Sequence, residues 1–294
     1  GEILLLENTR FLDVPNKLES TLNDDVAKQI ASFGELFVFD AFAVAHRRHT
    51  TVVGIPAYLP SCLGFLAEKE LSMLDITIKN PNKPFTVIMG GAKVDDKLKI
   101  IKSLLPKCDH LLVSGGIANS FLSALRLNVG SSLKTNDPNI IKELVNLMLT
   151  YKEKFAFPLD AIVTTTYSNH PEMKNINEID TNDVIKDIGT KTIKKYGTII
   201  KESNTIFMNG TMGIYEEKAF ANGTREILNI LSTKNDQVVI GGGDTVGALN
   251  TLGFKNEFKN VSSGGGATLE YIANGSLPGI DAIREEDDIE VLDL

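Results

Sequence analysis

Residues 238–245 read VVIGGGDT, and this short stretch indicates the fold class of the chain. Three apolar residues run into three glycines, an acid and a hydroxyl, a pattern that predicts a buried strand, a bare loop and the start of a helix. Glycine lets a ligand approach the backbone closely, because it has no side chain. The first turn of the helix would offer free N–H groups and the positive end of its dipole to an anion.

Three further predicted strand ends carry glycine pairs or triplets: MGGAK (89–93), SGGIA (114–118) and SSGGGAT (262–268). In open α/β sheets, ligands bind beyond the carboxyl ends of the strands. One such strand end is typical of a tight turn, whereas four in one chain indicate a phosphate-rich ligand. The GxxxxGK[ST] fingerprint does not occur, and GxGxxG fails because Val246 stands where its last glycine would be. A dinucleotide-dependent dehydrogenase is therefore disfavoured.

Short apolar segments alternate with segments of helical periodicity along most of the chain. Strands are predicted at residues 3–7, 37–40, 85–89, 110–114, 161–165, 205–208 and 237–241. Helices are predicted at residues 59–74, 96–105, 140–149, 218–231 and 245–252. Because several strands are apolar throughout, the pattern predicts an α/β fold with parallel sheets covered on both faces.

Composition and charge limit the classes of function. Apolar residues make up 43% of the 294 residues and charged residues 23%, which is typical of a soluble globular protein. The net charge of −8 argues against a general nucleic-acid or membrane-surface binder. Cys62 and Cys108 lack the spacing of a metal site, so we expect buried free thiols in a reducing cytoplasm. The acidic stretch EEDDIEVLDL (285–294) is typical of a solvated end.

Cationic side chains follow several of the predicted strands. Lys93 and Lys97 are four residues apart at a helix start, which would place both ammonium groups on one face. An anionic ligand would explain two lysines at the positive end of a helix dipole, although ordinary surface lysines remain the alternative. Arg10 and Arg47 also follow predicted strands, and arginine binds phosphate and carboxylate groups bidentately. For these arginines the alternative is a solvated loop.

Asp244 stands where a carboxylate would repel a bound phosphate. The arrangement is favourable if a divalent cation lies between them, and Mg²⁺ commonly uses one or two carboxylates together with phosphate oxygens. We therefore predict that Asp244 holds Mg²⁺ and that Thr245 caps the helix and donates to a phosphate. A simple N-cap role for Asp244 is the alternative.

Eight motifs of the chain together resemble the phosphoglycerate kinase family in order and spacing. They are LLLENTRF (4–11), FVFDAFAVAHRRHTT (37–51), GFLAEKEL (64–71), GGAKVDDKL (90–98), NGTMGIYE (209–216), IGGGDT (240–245), SGGGATLE (263–270) and LPGIDAI (277–283). The resemblance implies two Rossmann-like three-layer αβα domains with parallel sheets, joined by a hinge helix. It also implies a monomeric, cytoplasmic enzyme of glycolysis, with no nucleic-acid or membrane partner.

The reaction that the resemblance implies is reversible phosphoryl transfer between 1,3-bisphosphoglycerate with ADP and 3-phosphoglycerate with ATP. The nucleotide would enter with Mg²⁺, and hinge closure would bring the two substrates together. The implied domains are the C-terminal part of the phosphoglycerate-binding domain (1–58), the connecting helix and hinge (59–83), the nucleotide-binding domain (84–273), and a returning segment with the acidic tail (274–294).

The family's functional residues carry over to matching positions of this sequence. Arg10 and Arg47 would bind the acid substrate, Lys93 would stabilise the phosphoryl group during transfer, and Glu70 would lie in the hinge helix. The main-chain N–H groups of Gly264, Gly265 and Gly266 would point at the transferred group. The residues expected to contact the nucleotide are Lys97, Gly115, Gly116, Gly189, Asn209, Glu216, Gly242, Gly243, Asp244 and Thr245.

The sequence departs from the family in two respects. Met208, Thr211 and Thr190 stand where tryptophan, proline and proline are usual, and we expect these changes to loosen loops around the nucleotide. Ser114 stands where a third glycine is common. The resemblance also implies a longer N-terminal domain than this sequence contains. We therefore expect the chain as given to bind nucleotide and to turn over poorly or not at all, unless a peptide carrying the remaining segment complements it.

One alternative reading shares every one of these motifs. A non-catalytic Mg-nucleotide-binding fragment or regulator with the same fold would carry the same glycine-rich strand ends and lysines. Nucleotide binding without turnover would favour that alternative.

Overall fold

The computed structural model describes residues 2–284, which divide into two compact units. Unit 1 consists of residues 2–72 and 263–284, and unit 2 consists of residues 73–262. The acidic stretch at 285–294, which we expect to be a solvated end, lies outside the described residues.

The strands and α-helices are numbered in chain order. The strands are β1 (Phe37–Phe39), β2 (Ser61–Leu63), β3 (Phe85–Met89), β4 (His110–Val113), β5 (Phe155–Ala156), β6 (Asp160–Thr165), β7 (Ser168–Asn175), β8 (Asp183–Ile188), β9 (Thr205–Asn209), β10 (Val238–Gly241) and β11 (Asn260–Val261). The helices are α1 (Asp24–Ala31), α2 (Phe65–Ile78), α3 (Leu98–Leu104), α4 (Gly115–Ala124), α5 (Pro138–Thr150), α6 (Thr190–Glu202), α7 (Asn222–Ser232), α8 (Gly243–Leu252), α9 (Gly266–Asn274) and α10 (Pro278–Arg284). Within residues 2–284, none of them combines the length and apolar character that a membrane span needs.

Unit 2 is built on a parallel sheet of six strands in the order β11-β10-β9-β3-β4-β5. Read from β5 and renumbered along the chain, the order is 3-2-1-4-5-6, the doubly wound Rossmann arrangement. The winding reverses between β3 and β9, so the topological switch point lies between these two strands. Every residue of β3 and β9 is buried, which confirms the predicted parallel α/β class.

The core of unit 2 joins the sheet to its covering helices. Ile88, Met208 and Ile240 come from three neighbouring strands and belong to one buried cluster with Tyr196 of α6 and Leu228 of α7. Burying each large apolar side chain contributes about 1.5–3 kcal/mol. The cluster therefore fixes the strand ends, on which the loops at the switch point depend.

A second sheet of unit 2 is antiparallel, with the strand order β7-β6-β8. Residues 161–165, which we expected in the parallel sheet, belong to the central strand of this sheet instead. The first six residues of β7 are exposed, so one side of the sheet is solvated, as antiparallel sheets tolerate. An apolar run indicates a strand, but it does not specify the direction of the strand or its partners.

In unit 1, β1 and β2 form a two-stranded parallel sheet. The strand predicted at residues 3–7 is wrong, because these residues adopt no regular secondary structure. The side chains of Ile3 and Leu5 are 97% and 93% exposed. An apolar run becomes a strand only when a neighbour completes its hydrogen-bond ladder, and no described strand pairs with this segment.

The two free cysteines differ in exposure. Cys108 is buried as predicted, whereas Cys62 of β2 is exposed, so the prediction of a buried thiol is wrong there.

Helix α2 starts later than the helix predicted at residues 59–74, because β2 occupies part of that segment. The start is set by Asp40, whose Oδ1 accepts hydrogen bonds from the N–H groups of Leu66 at 2.7 Å and Ala67 at 2.9 Å. A Cβ atom at Gly64 would overlap the Asp40 carboxylate, so glycine is required there. A cap from so distant a residue leaves no trace in the helical periodicity.

The N-terminus of α6 is filled by a buried carboxylate. Asp160 Oδ1 accepts the Thr192 N–H at 2.8 Å, and Oδ2 accepts the Lys191 N–H at 3.0 Å. The Thr192 hydroxyl also donates to Oδ1, at 2.7 Å. These bonds satisfy N–H groups that have no partner within the helix, and the helix dipole favours the negative charge.

We expect Asp160→Ala to lower the free energy of unfolding by about 2–4 kcal/mol, because it leaves several buried donors unpaired. Asp137→Ala is the matched control, since Asp137 caps α5 at an exposed site by accepting the Asn139 N–H at 2.8 Å. Loss of that cap should cost about 1 kcal/mol. Urea unfolding followed by circular dichroism measures both, and equal losses would contradict the role given to the buried cap.

Candidate active site

The main chains that follow β3 and β9 touch at the switch point. The Gly90 N–H donates to the Asn209 carbonyl oxygen at 2.9 Å. A Cβ atom at Gly210 would overlap the Gly90 carbonyl oxygen, and one at Gly90 would overlap the Thr211 carbonyl oxygen. Gly210 also has a φ of +95°, which disfavours other residues. The glycines therefore keep side chains out of the crevice where ligands bind in this fold.

Lys97 places its ammonium group in this crevice. Its Nζ donates to the Gly90 carbonyl oxygen at 2.8 Å. Burial lowers the pKa of Lys97 to about 8, and the negative charges of Asp244 and Asp96 oppose that shift. Because this hydrogen bond goes to a carbonyl rather than to a carboxylate, the positive charge remains available to an anionic ligand.

A cavity of about 320 Å³ adjoins the crevice. Four residues that we predicted to contact the nucleotide line it: Gly115, Gly116, Glu216 and Asp244. A Cβ atom at Gly116 would overlap the Ala92 carbonyl oxygen, so α4 can approach the loop after β3 only with glycine at this position. The structure thus brings these four predicted residues together around one cavity.

The cavity continues along β8 toward the start of α6. Lys186 and Ile188 of β8 line it, and Gly189, which was predicted to contact the nucleotide, follows directly. A Cβ atom at Gly189 would overlap the carboxylate of Asp160. The glycine therefore allows the α6 cap to form at this edge of the cavity.

Asp187 is a buried carboxylate in the wall of the cavity. It accepts the Gly223 N–H at 2.6 Å and the Ile188 N–H at 2.8 Å. Burial raises the pKa of Asp187 to about 7, although these two hydrogen bonds act in the opposite direction. A Cβ atom at Gly213 or Gly223 would overlap this carboxylate, so Asp187 joins the loop after β9 to the start of α7.

The loop between β10 and α8 leaves a helix start open. Gly242 has a φ of +97°, and no atom lies within 4 Å of the position that a Cβ atom would take at Gly243. No side chain caps α8, and Gly243 and Asp244 are exposed. The N–H groups of its first turn are therefore accessible to an anion, unlike those of α6.

Two predicted site residues at the ends of β9 and α8 bind the main chain. The buried Thr245 hydroxyl accepts the Gly210 N–H at 2.7 Å and donates to the Gly241 carbonyl oxygen at 3.1 Å. This contradicts its predicted donation to a phosphate and makes it a link between two loops. Asn209 also donates to Gly241, at 2.8 Å, while its buried Oδ1 has no hydrogen-bond partner. An unpaired buried acceptor is costly, and a ligand donor or a bound water would relieve that cost.

Lys93 and Lys97 do not share one helical face as the sequence predicted. Helix α3 begins only at Leu98, and the preceding residues Asp95–Lys97 form a 3₁₀ turn. Lys93 is exposed and lines a second cavity of about 360 Å³, whereas Lys97 is half-buried at the switch point.

The two arginines predicted to bind the acid substrate lie in unit 1, and both lower the pKa of the His49 imidazole. Burial lowers the pKa of His49; Glu19 opposes this shift, and the positive charges of Arg10 and Arg47 reinforce it. Glu19 Oε1 lies 3.7 Å from His49 Nδ1, and Arg10 Nη2 lies 3.1 Å from Asp13 Oδ2. The arginines are both exposed, which suits them to a common anionic ligand.

The glycine-rich loop at 264–266 belongs to unit 1 and is held by the predicted hinge residue. Glu70 of α2 is buried and accepts both the N–H and the hydroxyl of Ser263, each at 2.7 Å. Gly265 has a φ of +50°, and no atom lies within 4 Å of the position of a Cβ atom there. Gly266 begins α9, so an open helix start follows this loop as well.

Two positions that depart from the family pattern are bonded to each other. We expected Thr211 to loosen a loop, yet its carbonyl oxygen accepts the Ser114 hydroxyl at 3.1 Å, and both residues are buried. Several polar residues that line the cavity were not predicted from the sequence, among them Asp160, Asp187 and Tyr215. The position of Asp187 two residues before Gly189 in DIGTK (187–191) was the one available signal.

Comparison with known proteins gives consistent results. A sequence model of the family described as phosphoglycerate kinase matches residues 1–275. Relatives of that name from Macrococcus caseolyticus and Clostridium kluyveri are 41% and 39% identical over 289 and 291 residues, and each alignment covers 97% of this chain and 72% of the relative. The solved structure of phosphoglycerate kinase from Coxiella burnetii has a TM-score of 0.88 at 34% identity, over 95% of this chain and 72% of its own. The structure from Pyrococcus horikoshii has a TM-score of 0.77 at 26% identity, over 92% of this chain and 71% of its own.

The pKa of Lys97 leads to a calorimetric prediction. With a pKa of about 8 in the free protein, binding of Mg-ADP should raise it, because phosphate stabilises the ammonium form. At pH 8 the complex should therefore take up about half a proton, and affinity should fall as the pH rises through about 8. Titrations in buffers of different ionisation enthalpy measure this uptake. Lys97→Arg is the control, since its guanidinium stays protonated; uptake that persists in this variant would assign the proton to another group.

Proposed function

Because this chain belongs to the phosphoglycerate kinase family, whose members transfer a phosphoryl group between ATP and 3-phosphoglycerate in glycolysis, we propose that it binds Mg-nucleotide at the switch point of unit 2. The observation that carries this proposal is the Lys97 ammonium group at that point, in a unit where the first turn of α8 is open. A cation and a free helix start are the two elements that a phosphate chain requires.

The nucleotide would occupy the cavity with its phosphates beside Lys97 and the first turn of α8. Gly242, Gly243 and the Thr245 main chain would surround the phosphates. Glu216 would bind the ribose hydroxyls, as carboxylates commonly do in nucleotide sites. Gly115, Gly116 and Gly189 would leave room for the adenosine, and the unpaired Asn209 Oδ1 would accept a hydrogen bond near the phosphates.

The acid substrate would bind to the arginines of unit 1. Arg10 and Arg47 would hold the phosphate and carboxylate groups of 3-phosphoglycerate or 1,3-bisphosphoglycerate through bidentate contacts. The N–H groups of Gly264, Gly265 and Gly266 would point at the transferred group. In the direction of ATP use, a carboxylate oxygen of 3-phosphoglycerate forms a bond to the γ-phosphorus, and the bond from that phosphorus to the ADP oxygen breaks.

Catalysis on this proposal consists of positioning and charge neutralisation. Phosphoryl transfer spreads charge over the equatorial oxygens and needs no nucleophilic side chain from the protein. Lys93 would neutralise the phosphoryl group during transfer, together with the glycine N–H groups. Lys97 would hold the nucleotide phosphates in place.

The described residues fit a magnesium ion that enters with the nucleotide. They contain no group of three or more histidine, cysteine or acidic side chains that could form a protein-only metal site. Mg²⁺ is commonly held by one or two carboxylates plus substrate phosphates, and the exposed Asp244 at the start of α8 could supply one of them. Because the protein carries a net charge of −8, we further propose that it has no nucleic-acid or membrane partner. We also propose that it is a cytoplasmic monomer, as the family resemblance implies.

The proposal is tested by calorimetry with Mg-ADP, followed by a coupled kinase assay with 3-phosphoglycerate and ATP. We expect saturable binding that Lys97→Met weakens by about tenfold or more, the scale of one charge-assisted contact. Turnover, by the chain alone or together with a peptide carrying the remaining segment, supports the kinase, and binding without turnover in both cases favours a nucleotide-binding regulator. A chain that binds no Mg-ADP at millimolar concentration would refute both.

Asp244→Asn gives a separate test of the magnesium role. The variant should bind Mg-ADP about tenfold more weakly, because a ligand to the ion is lost. It should bind metal-free ADP at least as well as the parent, since a charge that repels phosphate is removed. Asp96→Asn is the matched control. The Asp96 charge also raises the pKa of Lys97, but Asp96 lines the cavity of about 360 Å³ beside Lys93. Equal magnesium dependence in Asp244→Asn and the parent would refute the assignment.

A further inference from the structure

The loop after β9 forms one wall of the cavity but has no regular secondary structure. Residues 211–216 all line the cavity, and residues 211–214 belong to no helix or strand. Buried main-chain groups outside helices and sheets need partners from side chains or water. The position of this wall therefore depends on which side chains supply those partners.

Three buried hydroxyl groups from three distant parts of the chain bond to consecutive residues of this loop. Thr245 of α8 accepts the Gly210 N–H at 2.7 Å, and Ser114 donates to the Thr211 carbonyl oxygen at 3.1 Å. Thr224 of α7 accepts the Met212 N–H at 3.0 Å. The three hydroxyl residues are each 0% exposed.

Of the three hydroxyl groups, that of Thr224 lies near two successive N–H groups of the loop. Its Oγ1 also lies 3.4 Å from the Gly213 nitrogen. The preceding residue, Gly223, donates to Asp187, and a Cβ atom at Gly213 would overlap that same carboxylate. The start of α7 thus holds two successive N–H groups of the wall and packs it against the wall contributed by β8.

We propose that Thr224 and Ser114 are positioning residues for the nucleotide, which act through the main chain of residues 210–213 without contacting the ligand. Their hydrogen bonds hold the wall in the shape that the bound nucleotide requires, so that little ordering remains to be done on binding. This inference rests on the proposed nucleotide site. It assigns a role to the first turn of α7, which the site itself does not include.

The test compares variants that remove a buried hydroxyl near the wall and far from it. Thr224→Val keeps the shape of the side chain and leaves the Met212 N–H unpaired. Thr86→Val is the matched control, because Thr86 is a fully buried threonine at the start of β3, and its hydroxyl lies 2.6 Å from Ser203 Oγ. Thr224→Ser restores the hydroxyl, and Ser114→Ala removes the second tether.

We expect Thr224→Val to raise the Kd of Mg-ADP by about 3- to 10-fold, the effect of one lost hydrogen bond in the site. Ser114→Ala should act in the same direction, whereas Thr224→Ser and Thr86→Val should bind as the parent does. Urea unfolding of each variant separates affinity from stability, since Thr86→Val and Thr224→Val should both be destabilised. Hydrogen exchange at Met212 should accelerate in Thr224→Val but not in Thr86→Val.

Parent-like affinity in both Thr224→Val and Ser114→Ala would overturn the inference while leaving the nucleotide site intact. So would an equal loss of affinity in Thr86→Val, because the effect would then follow stability alone. Should Thr224→Val fail to fold, Ser114→Ala decides the matter by itself. Failure of the parent to bind Mg-ADP is a different result, since it refutes the proposed function.

Discussion

The close approach of the main chain after β3 to the main chain after β9 is the constraint on which the site depends. Gly90 bonds to Asn209 there, and neither Gly90 nor Gly210 can carry a side chain without overlapping the opposite backbone. The same approach creates a narrow polar crevice with a carbonyl oxygen at its base, to which Lys97 bonds. A larger residue at either glycine would separate the strand ends and displace both the ammonium group and the wall that begins at Thr211.

Main-chain N–H groups, rather than lysines or arginines, satisfy most of the acids that organise the structure. Asp40 caps α2, Asp160 caps α6, and Asp187 accepts two N–H groups in the cavity wall. Peptide dipoles and helix starts can stabilise a carboxylate without a counter-ion. Because these acids take no cation, the Lys97 ammonium group at the switch point is left for a ligand. Lys174 is the contrasting case, since it pairs with Asp183 at 2.9 Å in the antiparallel sheet.

Features that depend on a short continuous segment could be predicted from the sequence. The strands at 85–89 and 237–241 could be predicted because apolar runs end in glycine, and the glycines at 115 and 116 belong to the same signal. Features that join distant segments could not be predicted. The cap of α2 by Asp40, the antiparallel direction of β6 and the bonds of Thr224 each depend on which segments meet in the fold. Local composition carries no information about such pairings. For the same reason, the apolar run at 3–7 was predicted to be a strand although no described strand pairs with it.

The different caps of α6 and α8 make the two ends of the cavity electrostatically unequal. The Asp160 carboxylate caps the first helix start, whereas no side chain caps the second, where Asp244 is exposed. In the proposed site, a ligand with an anionic, magnesium-bearing end and a neutral end would therefore be favoured with its anionic end toward Gly243 and its neutral end toward Gly189. Asp160 would in this way discriminate against reversed insertion, which a cradle of glycines alone could not do.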